Sequence, residues 1–131
     1  MPDSDLHIIP GAGMILDLSR RDRGVLLLHG FFGSPSELRY LAKALLDAGF
    51  SVYAPRLPGH GTTIEEMSSS SIDVWYSSAR EAYLELKANC REVFVAGLSM
   101  GELFTVLLAE EFDIPGIAPM STPTAVTGKG P

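Results

Sequence analysis

Apolar residues along this chain follow two alternating rhythms, that of a strand buried on both faces and that of a one-sided helix. Val25-Leu26-Leu27-Leu28 is an unbroken apolar run ending at His29-Gly30, the pattern of a parallel strand covered on both sides. In Ser34-Pro35-Ser36-Glu37, Ser34 is placed to be a helix N-cap, Pro35 the first helical residue and Glu37 the capping-box partner. Leu38, Leu41, Ala42, Leu45 and Leu46 then repeat at helical spacing, and Gly49 closes the helix just past its end. Ser51 to Ala54 reads as a second strand stopped by Pro55, and residues 56–63 as a loop by composition. Four serines, Ser68 to Ser71, lead into a second helix with Ile72, Trp75, Tyr76, Ala79, Tyr83 and Leu86 on one face. Glu92 to Ala96 is a third strand. After Gly97-Leu98-Ser99-Met100-Gly101 comes a third helix carrying Leu103, Val106 and Leu107, and Pro115 to Met120 fits a fourth strand.

The order β-α-β-α-β-α-β predicts an α/β fold: a parallel sheet of about four strands and three helices, with right-handed crossovers and helices on both faces. Residues 25–121 carry the pattern. Residues 1–24 form an N-terminal segment, and the Gly/Thr/Pro-rich residues 122–131 a tail expected to be unordered. If the first crossover runs one way across the sheet and the next reverses, a switch point falls between the strands at 25 and 92. Ligands bind at such points, beyond the carboxyl ends of the strands. His29-Gly30-Phe31-Phe32 and Gly97-Leu98-Ser99 are the segments that leave those two strand ends.

Composition narrows the partners. A chain of 131 residues, 46% hydrophobic and 20% charged, is one globular domain at most and not a disordered one. The net charge of −6 and the absence of a basic run argue against nucleic acid and anionic membranes. No apolar stretch exceeds four residues, far short of the roughly 20 needed to cross a bilayer. Cys90 is alone, which forbids an intrachain disulfide, and Met1-Pro2-Asp3-Ser4-Asp5 lacks the apolar core of a signal peptide. A cytoplasmic location is the expectation.

Two segments have the makings of chemistry. Gly97-Leu98-Ser99-Met100-Gly101 is weak as a bare pattern, but it follows an apolar strand and precedes a helix, the setting of a nucleophile elbow. Glycines on either side let strand and helix pass closely, and the serine hydroxyl projects over a helix N-terminus that favours developing negative charge. The plainer reading is a glycine-rich turn with Ser99 as an ordinary N-cap. At His29-Gly30-Phe31-Phe32-Gly33 a turn can aim the Phe31 N–H at a carbonyl attacked by Ser99, with the Met100 N–H as second oxyanion donor. The plainer reading is a tight turn with a structurally satisfied His29. The loop Arg56-Leu57-Pro58-Gly59-His60-Gly61 is expected to shape a pocket rather than supply a catalytic His60. Nothing supports a role for His7.

Val25 to Pro35, Ala54 to Thr62 and Val95 to Gly101 resemble three successive signatures of the α/β-hydrolase superfamily, in particular its bacterial carboxylesterase and monoglyceride-lipase-like branch. Asp73-Val74-Trp75 resembles the aspartate–tryptophan element that opens the following helix in that branch. The resemblance implies a serine carboxylic-ester hydrolase working through an acyl-serine intermediate on small apolar esters. Ser99 would be the nucleophile, the N–H groups of Phe31 and Met100 the oxyanion hole, and no metal or organic cofactor would be needed. Glu102 stands where glycine is usual. The family orders its triad serine, acid, histidine. Here no histidine follows Ser99, and the only later aspartate, Asp113, sits at the end of the next helix, where the family's acid does not occur. Family members are about twice as long. The implied reading is the N-terminal half of such an enzyme, nearly inactive alone, with a missing C-terminal half or self-association as its partner. The alternative is a non-catalytic remnant or binding module on the same fold. Acyl transfer or peptide cleavage is a third chemistry the elbow does not separate.

Overall fold

The apolar run at Val25 lies in a six-residue strand, β2 (Arg23–Leu28), whose alternate side chains serve two different cores. Leu26 and Leu28 point into one, Val25 and Leu27 into the other, which is why no polar residue interrupts the run. The structure, a computed structural model, describes residues 13–31, 33–63, 65–66 and 70–120. After β2 come a 3₁₀ turn at Pro35–Leu38, helix α1 (Arg39–Asp47), β3 (Ser51–Ala54), α2 (Ile72–Asn89), β4 (Glu92–Leu98), α3 (Met100–Glu111) and β5 (Ile117–Met120). Ahead of β2, Ile15–Asp17 forms β1.

The sheet has the order β1-β3-β2-β4-β5, with β1 antiparallel to β3 and every other pair parallel. The chain runs from β2 to one neighbour, β3, and then crosses to the other, β4. The switch point therefore falls between β2 and β4, as the sequence order allowed. The 3₁₀ turn and helix α1 cover one face, packing Leu38 and Ala42 against Val25, Leu27, Val52, Ala54 and Ala96. Helices α2 and α3 cover the other, packing Trp75, Ala79, Tyr83, Leu86, Phe104 and Leu108 against Leu26, Leu28, Val93 and Val95.

Three local outcomes differ from the sequence expectations. The sheet starts at Ile15 rather than Val25, giving five strands instead of four. This short strand is only half-buried and shows no periodicity; the segment after it is tied down by Ser51, whose hydroxyl donates to the Arg20 carbonyl and accepts from the Arg20 N–H. Helix α3 buries Gly101, Phe104, Thr105 and Leu108, while Leu103 and Val106 are exposed. This helix is apolar on most sides, so spacing alone does not select a face. Gly101, seated against the β2 backbone, sets the rotation. In α2, Ile72 is exposed and Ala82 joins the buried stripe.

The end of α1 follows its expected chemistry. Gly49 adopts φ 98°, and the N–H groups of Gly49 and Phe50 bond the carbonyls of Leu46 and Leu45, a Schellman closure. An open apolar trough of about 410 Å³ lies on the α1 face, between Leu41 and Leu45 on one side and Phe94, Ile117 and Met120 on the other. Among the described residues no helix is long and apolar enough to cross a membrane. Residues 122–131, His7 and Phe32 lie outside the described residues.

Candidate active site

Ser99 occupies the turn between β4 and α3 with φ 58° and ψ −115°, the sole non-glycine residue of positive φ among the described residues. Such a backbone costs a side-chain-bearing residue about 1–3 kcal/mol and persists only where surrounding structure imposes it. Here the imposition is visible. The Ser99 N–H donates to the Met120 carbonyl at 3.0 Å and its carbonyl accepts from the Glu102 N–H at 2.8 Å. A Cβ on Gly97 would overlap the Gly101 carbonyl and the Thr105 hydroxyl, and one on Gly101 would overlap the Leu28 carbonyl. Two glycines thus let β4, α3 and β2 meet within backbone contact. Ser99 makes no side-chain cap hydrogen bond and is exposed, so the ordinary N-cap reading does not describe it. Ser99 immediately precedes α3, where Met100 is the first helical residue and half-buried Glu102 lies in the first turn.

The turn after β2 comes to the same place. A Cβ built on Gly30 would lie 3.2 Å from the Ser99 Cβ, so the Gly30–Phe31 backbone borders the serine. This turn is heavily tied. The Gly30 N–H donates to Glu37 Oε1 at 2.8 Å. The Gly30 carbonyl accepts from the Gly33 N–H at 3.0 Å and lies 2.9 Å from His29 Nδ1. The Leu57 N–H can only donate, and it meets His29 Nε2 at 3.1 Å. Nε2 is therefore the bare nitrogen, and the Nδ1 proton goes to Gly30. His29 is completely buried. Burial, with lesser contributions from His60 and Arg56 and against the bond to Gly30, lowers its pKa from 6.5 to about 4.

That shift carries a sign. Between pH 6.5 and 4 the unfolded chain binds a proton at His29 that the folded chain does not, so stability is full above 6.5 and falls as pH drops toward 4. The loss amounts to about 3 kcal/mol. Urea unfolding from pH 7 to pH 4 will show it, and His29→Asn will have the flatter profile. Parallel profiles for the two proteins would refute the assignment.

The 56–61 loop stands behind Phe31. Trp75 Nε1 donates to the Pro58 carbonyl at 2.8 Å and Arg56 to the His60 carbonyl at 2.9 Å. The His60 ring, buried at zero exposure, lies 4.9 Å from His29 and 4.8 Å from Trp75 between ring centres. Phe31 rests edge-on against Trp75 at 5.4 Å and His60 at 6.1 Å. Burial lowers the His60 pKa as well. The loop thus packs against Phe31 through His60 and is tied to Trp75 through Pro58. Asp113 lies beyond the far end of α3, about 18 Å along the helix from Ser99 at 1.5 Å per residue.

With this geometry in place, a family model described as alpha/beta hydrolase family matches residues 25–124. The chain belongs to the alpha/beta hydrolase family. Within its carboxylesterase-like branch, the chain is 48% identical over 99 residues to a thermostable monoacylglycerol lipase of Bacillus sp. (strain H-257), covering 75% of this chain and 40% of that protein. It is 37% identical over 103 residues to a carboxylesterase of Bacillus subtilis (strain 168), covering 78% and 42%. A solved structure from work on the metagenome-derived lipolytic enzymes LipS and LipT superposes with a TM-score of 0.80 at 41% identity, covering 84% of this chain and 45% of that one. Est1E from Butyrivibrio proteoclasticus, solved with ferulic acid bound, shares the fold at 18% identity and a TM-score of 0.63. The chain spans less than half the length of each of these relatives.

As an alpha/beta hydrolase segment, it brings Ser99 and the Phe31 turn together at one end of the sheet, next to the start of α3. The trough on the α1 face is a separate feature: none of Ser99, Phe31 and Met100 lines it. One side chain bordering the site escaped the sequence pattern. Glu37 does not complete a capping box with Ser34, whose hydroxyl accepts from the Ser36 N–H; its carboxylate reaches back seven residues to Gly30. Periodicities of 2 and 3.6 carry no signal for such a bond.

Proposed function

We propose that this alpha/beta hydrolase segment supplies the nucleophile and the oxyanion site of a serine carboxylic-ester hydrolase. The reading is carried by the backbone of Ser99, a strained, exposed serine whose hydroxyl caps nothing, standing beside the Gly30–Phe31 turn. Ser99 Oγ attacks the ester carbonyl carbon, and the N–H groups of Phe31 and Met100 hold the oxygen that becomes negative. The tetrahedral species collapses with loss of the alcohol, leaving an acyl-serine. Water then adds to the acyl carbon and releases the carboxylic acid and free Ser99.

The hydroxyl proton passes to a histidine outside these 131 residues, itself oriented by an acid from the same source. Within them all three histidines precede Ser99, and both ring nitrogens of His29 are engaged. The same additional segment would cover the apolar trough and pair with the open edge at β5. Small apolar esters are the proposed substrates, in keeping with the lipase and carboxylesterase names of the relatives. A cytoplasmic setting goes with this reading, on the strength of the free, buried thiol of Cys90.

Labelling of the chain, fused in frame to a hydrolase segment that supplies the base, with an activated p-nitrophenyl alkylphosphonate tests the assignment. The Ser99 Oγ–phosphorus bond forms, p-nitrophenolate leaves and the proton goes to solvent. Peptide mass spectrometry will place the adduct on Ser99, and Ser99→Ala will remain unlabelled. An adduct on other residues alone, or none, would overturn the reading.

A further inference from the structure

The Gly30–Phe31 peptide borders Ser99, and its carbonyl side is tightly held. Its carbonyl uses both lone pairs, one on the Gly33 N–H and one on His29 Nδ1–H. Just before it, the Gly30 N–H is taken by Glu37. In a trans peptide the carbonyl and the following N–H share one plane and point in opposite directions, and no cis peptide occurs among the described residues. Fixing the Gly30 carbonyl therefore fixes the direction of the Phe31 N–H.

Glu37 has its place reserved. A Cβ on Gly33 would overlap the Glu37 carboxylate, whose Oε2 and Cδ would both lie 2.5 Å from it. The same carboxylate oxygen that bonds Gly30 lies 3.6 Å from the Cβ position of Gly30, which in turn is 3.2 Å from the Ser99 Cβ. The carboxylate thus fills the notch between two glycines, one of which borders the serine. A hydrogen bond to an ionised acceptor is roughly twice as strong as a neutral one, so this side chain is the firmest tether on the turn. A cap needs no such geometry: Ser34 and Ser36 satisfy the start of the 3₁₀ turn without it.

We propose that Glu37 is a positioning residue for the oxyanion site: seated in the space left by Gly33, its carboxylate clamps the Gly30 N–H while His29 clamps the Gly30 carbonyl, and together they aim the Phe31 N–H at the carbonyl oxygen of the ester that Ser99 attacks. The role rests on the hydrolase reading above. It assigns the two glycines separate duties, Gly30 to approach Ser99 and Gly33 to admit the carboxylate.

Two measurements on the same fusion, in which the base is supplied, test it. The first is the rate of Ser99 phosphonylation, corrected for the folded fraction from thermal melts. Displacing a group near the chemistry by about 1 Å costs on the order of 100-fold, so Glu37→Ala will slow labelling by about 10- to 100-fold. Gly33→Ala, which evicts the carboxylate without removing it, will slow it similarly. Glu37→Gln keeps a neutral acceptor at the same reach and will lose about 5-fold or less. The second is the ¹⁵N-¹H resonance of Gly30, which will move upfield in Glu37→Ala and part of the way in Glu37→Gln. A merely structural Glu37 would lower the melting point of Glu37→Ala yet leave the labelling rate of the folded chain unchanged, and that result overturns the clamp alone. A Gly30 resonance indifferent to Glu37 also overturns it, with the hydrolase reading intact. Failure of the unsubstituted fusion to label at Ser99 overturns the hydrolase reading, and the role of Glu37 falls with it.

Discussion

Fused in frame to the remaining part of a related hydrolase domain, these 131 residues will hydrolyse a p-nitrophenyl ester about 10³-fold faster than alone, or more. The reason is the proton. A serine hydroxyl attacks well only when an adjacent base removes its hydrogen, and the buried, doubly bonded His29 cannot serve. In a well-studied protease, loss of the base costs about 10⁶ in kcat, and the oxyanion hole and binding retain roughly 10³–10⁴-fold over water. The isolated chain should therefore show trace turnover. A suitable donor is the complementary part of the Bacillus sp. (strain H-257) lipase, since this chain aligns to 40% of that protein. Ser99→Ala in the fusion will remove the gain. A folded fusion no faster than the isolated chain would favour a non-catalytic binding module, and turnover near 10 s⁻¹ by the chain alone would place a base inside it.

Substituting alanine at Gly97 or Gly101 will abolish folding rather than trim it. At Gly97 the added carbon meets the Gly101 carbonyl and the Thr105 hydroxyl. At Gly101 it overlaps the Leu28 carbonyl oxygen and lies 2.8 Å from the carbonyl carbon. Apart from the Thr105 hydroxyl, itself tied to the Gly101 carbonyl at 2.8 Å, these are backbone atoms of the central strand and of the helix start. Neither can yield without separating α3 from β2. The cost should exceed about 4 kcal/mol, the range reserved for disrupted cores and backbone strain. Gly13→Ala, with open space around it, is the matched control. Circular dichroism and urea unfolding will report it, and an alanine at either glycine that melts with the parent would contradict the packing described.

The sequence was most legible where one residue's chemistry decides its conformation. Gly49 past α1 and Pro55 after β3 fell where local rules put them, and the unbroken run at Val25 announced a strand with two buried faces. Ser99 was legible because a strand, a glycine pair and a helix bracket it. Legibility failed where tertiary contact decides. Helix α3 carries apolar residues almost all round, so only the seat of Gly101 on β2 tells Phe104 from Leu103. β1 is three residues, Leu16 among them exposed, held by pairing with β3, an arrangement invisible to any period. Glu37 obeyed a local rule in the sequence and a different partner in the fold, because the notch at Gly33 exists only once the turn has closed.

The position of β2 in the sheet has a consequence for how the chain is made. Its partner β3 follows within about 30 residues, but its other partner β4 begins about 70 residues later, with Arg23 opposite Glu92. At roughly 5–20 residues per second of synthesis, β2 leaves the ribosome some 3–14 s before that neighbour exists. During the interval the most buried of the described strands has one edge unpaired and one face bare, since α2 and α3 are also still to come. Closing so long a loop costs only slowly growing entropy, so the delay is one of supply rather than of search. The nascent chain is then most vulnerable between the emergence of residues 28 and 98, and slow codons within that stretch would prolong the exposure.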